Sequence, residues 1–290
     1  MTRSNNFGDN PTVTLITVSR DNPQELLKTC RSVSEQTVSP DSYFVVDSSN
    51  EDNKKKMEKI ARSHGAEYLW VEPRGVYPAM AHSLRLADDD SYVWFINSSD
   101  WLAGEKSVQI VKDALALEAA TGALPIWLIG QLALEKRRAP YHHLLPTTPE
   151  KFVSMLASGR IGFPHPSAII KKVALLGVGA FEDDLLIASD YAAALRVAQK
   201  YGAPLLLPET LSVHVPTGFT SQNRVRHAFE KSLARTRVQG NAKWALEPFR
   251  QVRRLAGNWF SSGRAIWNNS RMNEDGYPHW GNPPFIDITR

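Results

Sequence analysis

Short β-prone runs alternate with stretches of helical spacing through the first third of the chain. Residues 13–19, VTLITVS, form a β-branched run that predicts a strand. Asn22-Pro23 then starts a helix carrying Leu26, Leu27, Cys30 and Val33 on one face. SYFVVDSS predicts a second strand ending in Asp47. Residues 51–64 read as a charged helix with Met57, Ile60 and Ala61 as its narrow apolar stripe, stopped by Gly65. EYLWVE predicts a third strand, and a helix follows from about Tyr77 to Leu86. After the acidic turn Asp88-Asp89-Asp90 comes YVWFINSSDWL, residues 92–102. Its Val93-Trp94-Phe95-Ile96 block does not alternate, which suits a central strand covered on both faces.

Strands joined by helices in this order predict an α/β fold with a doubly wound, mostly parallel sheet and right-handed crossovers. Such sheets bind ligands at the carboxyl ends of their strands. Polar residues end three of the strands here: Ser19 with Asp21, Asp47, and Asn97-Ser98-Ser99-Asp100. A nucleotide cleft is the natural expectation. Asn-Ser-Ser-Asp is also ordinary turn chemistry, with Asp100 as a cap for a helix beginning near Glu105. Neither G-x-G-x-x-G after the first strand nor G-x-x-x-x-G-K-[ST] anywhere is present, which argues against dinucleotide oxidoreductases and P-loop enzymes. A divalent metal on hard oxygen ligands such as Asp100 is the simplest way to offset pyrophosphate charge without a glycine cradle.

Composition narrows the class without changing that picture. A chain of 290 residues with 42% hydrophobic and 22% charged residues can bury a sizeable core as one large domain or two small ones. The net charge of +4 is small and sits mostly in the last third, so no nucleic-acid partner is indicated. The single cysteine, Cys30, excludes an internal disulfide and suits packing within a helix in a reducing compartment. With no apolar signal core in MTRSNNFGDNP and no run long enough to span a bilayer, the expected location is the cytoplasm. Residues 221–239 read as a basic helix with Arg224, Arg226, Lys231, Arg235 and Arg237. Residues 243–260 form an amphipathic pattern that packs on the core or lies on the inner face of an anionic membrane, and the tail after Ser270 is irregular.

The joint order VTLITVSRDNPQELLKTCRSVSEQT, FVVDSSNED, EPRGVYPAMAHSLRLA and YVWFINSSDWL resembles the nucleotide-binding half of family 2 glycosyltransferases with the GT-A fold. HPSAIIKKVALLGVGAFEDDLLIASDYAAALRVAQKYG resembles their acceptor-side segment, and the resemblance runs over roughly residues 12–220. It implies a GT-A-like α/β fold with a nucleotide-sugar half (11–125), an acceptor half (126–220) and a helical carboxyl-terminal extension (221–290). It also implies an inverting hexosyltransferase of cell-surface polysaccharide assembly. The donor is a nucleotide-diphosphate sugar, the acceptor a glycan or lipid-linked hydroxyl, and the cofactor Mn or Mg. By the same resemblance Asp47 contacts the nucleotide base, and the donor site takes in Thr17, Ser19, Arg74, Asn97 and Ser98. Asp100 holds the metal and Asp190 is the catalytic base. Two departures stand out: Tyr77-Pro78-Ala79-Met80-Ala81 replaces the usual Tyr-Asp-Ala-Met-Asn, and Ser99-Asp100 replaces two adjacent acids.

The residues themselves suit this chemistry. Sugar transfer needs one group to stabilise a departing diphosphate and another to take a proton from the acceptor. Asp100, directly after a buried strand, suits the first task. Asp190, opening the helix DYAAALRVAQKYG, suits the second, although an aspartate there is also a helix cap unless Ser189 caps instead. His165 and His214 stand beside short strands on the acceptor side and serve either substrate or structure. Arg74 is the cationic alternative for stabilising the leaving group. Glu182-Asp183-Asp184 and Lys136-Arg137-Arg138 read as solvated loops, and His82 as a surface or packing residue. Competing classes are a non-catalytic binding relic and, less favoured, a sugar nucleotidyltransferase, which would want a glycine- and lysine-rich loop where SRDNPQ stands.

Overall fold

The computed structural model describes residues 11–135, 141–143, 145–216 and 223–240. β1 (Val13–Ser19) is the axis of the first half, and β2 (Ser42–Asp47) pairs with it in parallel. β3 (Glu67–Trp70) continues the sheet outward from β2, while β4 (Tyr92–Phe95) lies on the other flank of β1, also in parallel. The chain thus winds outward from β1 in one direction and then returns to its opposite side. The cleft between β1 and β4 is the topological switch point, where open α/β sheets hold ligands.

The second half extends this sheet with mixed pairings. β5 (Trp101–Leu102), β6 (Trp127–Leu134), β7 (Tyr141–His143), β8 (Ala168–Lys171) and β9 (Leu205–His214) complete the order β3-β2-β1-β4-β8-β6-β9-β5, with β7 on β6. β8 runs antiparallel to both β4 and β6, whereas β9 is parallel to β6. The sheet is therefore parallel through β3-β2-β1-β4 and mixed beyond.

Each central strand is buried on both faces, which is why the sequence shows continuous apolar runs. Val13 and Leu15 point into a core shared with α1 (Pro23–Ser34), α2 (Glu51–Ser63) and, further along the chain, Val108, Val111 and Leu115. Ile16 and Val18 point the other way, into a core with α3 (Val76–Ser83) and residues of the second half. α4 (Ser107–Ala120) carries that first-face trio, and α5 (Pro149–Ala157), α6 (Lys172–Gly177) and α7 (Ser189–Tyr201) cover the second face. α8 (Arg224–Gln239) lies against α7.

Local signals account for the helix limits. Asn22 caps α1 by accepting the Glu25 N–H, Asn50 caps α2 through Asn53, and Gly65 at φ 78° ends α2. Cys30 is fully buried, and burial pushes its thiol up to about 11. Leu27, expected with Cys30 on the packed face, is 44% exposed instead. The helix expected from Tyr77 to Leu86 ends earlier, at Ser83, and tightens to a 3-10 turn over Leu84–Leu86. Among the described residues no helix is long and apolar enough to cross a membrane. The 243–260 pattern, Lys136-Arg137-Arg138 and the tail lie outside the described residues.

Candidate active site

The turn after β4 is built by the sheet itself. Ile96 donates its N–H to Ile16 O and Ser98 to Val18 O, which carries β4's ladder to the carboxyl end of β1. The Asp100 N–H then closes on Asn97 O at 3.0 Å, with Ser99 held at φ 90°. A non-glycine residue in that region is strained, and such strain persists where the surroundings over-determine it. The chain next enters β5, and α4 begins only at Ser107, so Asp100 does not cap that helix. Asp100 is 5% exposed, and its Oδ1 lies 2.7 Å from His214 Nδ1 at the end of β9. Burial works to lower the His214 pKa, but the hydrogen bond and charge of Asp100, helped by Asp190, outweigh it and leave the value raised.

Asp190 sits in the first turn of α7, where the helix dipole favours a carboxylate. Ser189 does not cap this helix; its hydroxyl accepts the Glu182 N–H. Asp190 Oδ1 receives the Tyr77 hydroxyl at 2.9 Å and the Tyr191 N–H at 2.7 Å. Oδ2 receives no hydrogen bond among the described residues. Burial first, then the charge and hydrogen bond of Asp190, drives the Tyr77 pKa well above its ordinary value, so Tyr77 remains a donor. Just before Asp190, Glu230 of α8 accepts the N–H groups of Ile187 and Ala188 at 2.7 and 3.1 Å.

Asp100, His214, Asn97, Tyr77 and Asp190 all line one cavity of about 380 Å³, together with His165, His227 and Lys231. His165 precedes β8 in a short 3-10 turn, its ring stacked near Phe95 and its Nε2 enclosed without a partner among the described residues. Burial lowers its pKa against the opposing charges of Asp190 and Asp100. The Asn97 Oδ1 atom is likewise buried and without a partner among the described residues.

Other expected donor residues are placed differently. Thr17 is fully buried and its hydroxyl meets Tyr43 OH, so it braces the sheet and offers no group to the cleft. Asp47 is fully buried and both its oxygens are taken, Oδ1 by Ser49 and Oδ2 by Tyr68. Burial raises its pKa despite these bonds. Asp21, at φ 51°, is the acid nearer the surface there, tied to Asn50 N–H and Asn53. The Ser19 hydroxyl is buried with no partner among the described residues. Arg74 lies in a separate groove of about 450 Å³ with Trp70, His82 and Arg85, and does not line the Asp100–Asp190 cavity.

The sequence pattern gave no signal for α8's role. Expected only as a basic helix, α8 pairs Arg226 with Glu230 and Arg237 with Glu182 and Asp184. Glu182 and Asp184, expected in a solvated loop, thus pair with α8, Asp184 from an exposed position.

No family model matches the sequence, and no match to a curated protein is found. Solved structures do match. S. aureus TarS 1-349 superposes with TM-score 0.60 at 14% identity, over 91% of this chain and 77% of that one. In its complex with UDP the same fragment gives TM-score 0.56 at 13% identity, over 77% of this chain and 65% of that one. The chain thus spans just under two thirds of that relative's length. The mannosyltransferase PcManGT from Pyrobaculum calidifontis, in complex with GDP-Man and Mn2+, gives 0.55 at 19% identity over 91% of this chain and 82% of that one. Mannosyl-3-phosphoglycerate synthase from Rubrobacter xylanophilus gives 0.52 at 15% identity, over 78% of this chain and 73% of that one. All three are GT-A-type glycosyltransferases, and the likeness gives this chain a GT-A-like fold, as the resemblance implied.

Proposed function

We propose that the protein is a glycosyltransferase that moves a sugar from a nucleotide-diphosphate donor to an acceptor hydroxyl with inversion, in the assembly of a cell-surface glycan. The observation that carries this reading is the meeting of Asp100–His214 and Asp190–Tyr77 on one cavity. The fold supports it, since solved structures of the same fold hold UDP, UDP-GlcNAc and GDP-Man.

The fold family implies a divalent cation. Among the described residues no cluster of three or more acidic, histidine or cysteine side chains gathers to hold one. A smaller donor set fits: the Asp100 carboxylate, the His214 imidazole 2.7 Å from it, and the unpartnered Asn97 amide oxygen in the same turn. Carboxylate and amide oxygens with an imidazole suit manganese, and the diphosphate completes such a set. When bound, the cation offsets charge building on the departing diphosphate.

The chain's own groups perform the remainder. Tyr77 and the Tyr191 N–H fix Asp190 through Oδ1, leaving Oδ2 to take the acceptor hydroxyl's proton. The acceptor oxygen forms its bond to the anomeric carbon as the bond to the diphosphate breaks on the opposite side. A single displacement of this kind inverts the anomeric centre. The test is a thermal-shift screen of UDP- and GDP-sugars with and without manganese, followed by product analysis with the donor that stabilises most. Stabilisation with no transfer or donor hydrolysis would identify a binding relic instead.

A further inference from the structure

α8 brings two basic side chains, His227 and Lys231, into the cavity of Asp190. The Lys231 ammonium donates to Ile161 O at 3.2 Å and lies 4.8 Å from the Tyr191 ring centroid. Two other cations of α8 are paired, Arg226 with Glu230 and Arg237 with Glu182 and Asp184. Among the described residues no carboxylate forms an ion pair with Lys231. Burial brings its pKa down to about 8, Arg235 adds repulsion, and Asp190 offsets only part of this. An enclosed cation without a counter-ion costs folding free energy, and an anion entering the cavity would relieve that cost. His227, held towards its neutral form by burial and by Lys231, adds an imidazole for the same ligand.

Lys231 contacts Tyr191, the residue after Asp190, and the Ile161 carbonyl, whereas the donor diphosphate of the proposed reaction belongs to the turn after β4. Resting on that reading, we propose that Lys231 and His227 form a subsite for a phosphoryl group carried by the acceptor. The acceptor is then a phosphate-bearing polyol or glycan, its free hydroxyl presented to Asp190. A phosphoryl group has enough oxygens to accept from an ammonium and an imidazole at once.

Glycerol 3-phosphate is the probe, titrated calorimetrically into wild type, Lys231→Gln and Lys231→Met, with UDP and GDP plus manganese as a second arm. Removing an unpaired cation should leave the melting temperature unchanged or raised, and Met preserves the stem packed on Tyr191. Expected is measurable binding to wild type, weakened about ten-fold or more in both variants, with nucleoside diphosphate affinity unchanged. No binding to wild type, or equal binding in all three proteins, overturns the subsite. An equal loss of UDP or GDP affinity overturns it too, because the lysine would then serve the donor. Lys231-dependent binding of glycerol 3-phosphate with no nucleotide binding would uphold the subsite and sink the transferase reading.

Discussion

The Tyr77 hydroxyl reaches across from α3 to the Asp190 carboxylate, 2.9 Å away and 113 residues later in the chain. The same hydroxyl lies 2.8 Å from Ile187 O, so one side chain of α3 meets both Asp190 and the backbone leading to it. This happens inside the segment that departs from the family pattern at Pro78 and Ala81. Pro78 is tolerated because it stands in the first turn of α3, where its missing N–H has no helical acceptor. The departure leaves the Tyr77 contact with Asp190 intact.

Asp190→Asn keeps the size of the side chain and its acceptor for Tyr77 and Tyr191, and removes only its basicity. Transfer should fall by roughly two orders of magnitude or more, with melting temperature and donor binding unchanged. Steady-state turnover beside a calorimetric donor titration checks this. Turnover within a few-fold of wild type would assign the base elsewhere.

Glu230 gives a structural counterpart. Its buried carboxylate accepts two backbone N–H groups ahead of Asp190 and pairs with Arg226. Glu230→Ala should destabilise by about 2–4 kcal/mol, since it strands buried donors. Glu230→Gln keeps one acceptor oxygen and should cost less than half as much. Urea unfolding of the two variants separates these outcomes, and equal costs would show that the N–H groups find other partners.

Much of the first half was legible because its strands are buried on both faces and its helices carry ordinary caps, as at Asn22 and Asn50. The carboxyl ends of those strands also located Asp100. The pairing of Asp100 with His214 was not legible, because it joins residues 114 apart through the β5–β9 pairing of a two-residue strand. Thr17 read as a cleft residue since strand-end position was visible and side-chain direction was not. The part played by Glu230 and Lys231 was hidden for a different reason. On a helix with so many cations, composition suggests solvent, and only the docking of α8 on α7 shows which residues turn inward.

The raised pKa of His214 has a consequence for stability. A group raised in the folded state contributes stability that is fully present below its unfolded value, 6.5, and lost as pH rises through the folded value. The lowered values of His82, His165 and His227 act in the opposite sense, their contribution being lost as pH falls. In the difference between wild type and an Asp100→Asn variant the contributions of His82 and His227 cancel, while His214 and His165, both raised by the Asp100 charge, remain and act in the same sense. The stability advantage of wild type over the variant should shrink as pH rises above 6.5. Urea midpoints measured along that interval check the sign, and an advantage that grows with pH would reverse it.

The same pair decides how a cation would bind. One carboxylate, one imidazole and the Asn97 amide oxygen are too few to hold manganese tightly alone, so affinity should become high only when diphosphate oxygens complete the set. Manganese should therefore bind weakly to the free protein and much better with a nucleoside diphosphate present. Binding should also strengthen as pH rises above the ordinary imidazole range, because a proton on His214 competes with the metal. Asp100→Ala should abolish the coupling. Ser99→Asp supplies a second hard anionic oxygen at a position held at φ 90°, a region that aspartate enters more readily than most residues, and should tighten binding in the absence of nucleotide. Calorimetry of manganese with and without UDP or GDP on the three proteins reads all of this. Identical, metal-independent nucleotide binding in every one of them would remove the cation from the mechanism. The diphosphate would then rely on protein cations alone, and the Arg74 groove would be the next place to test.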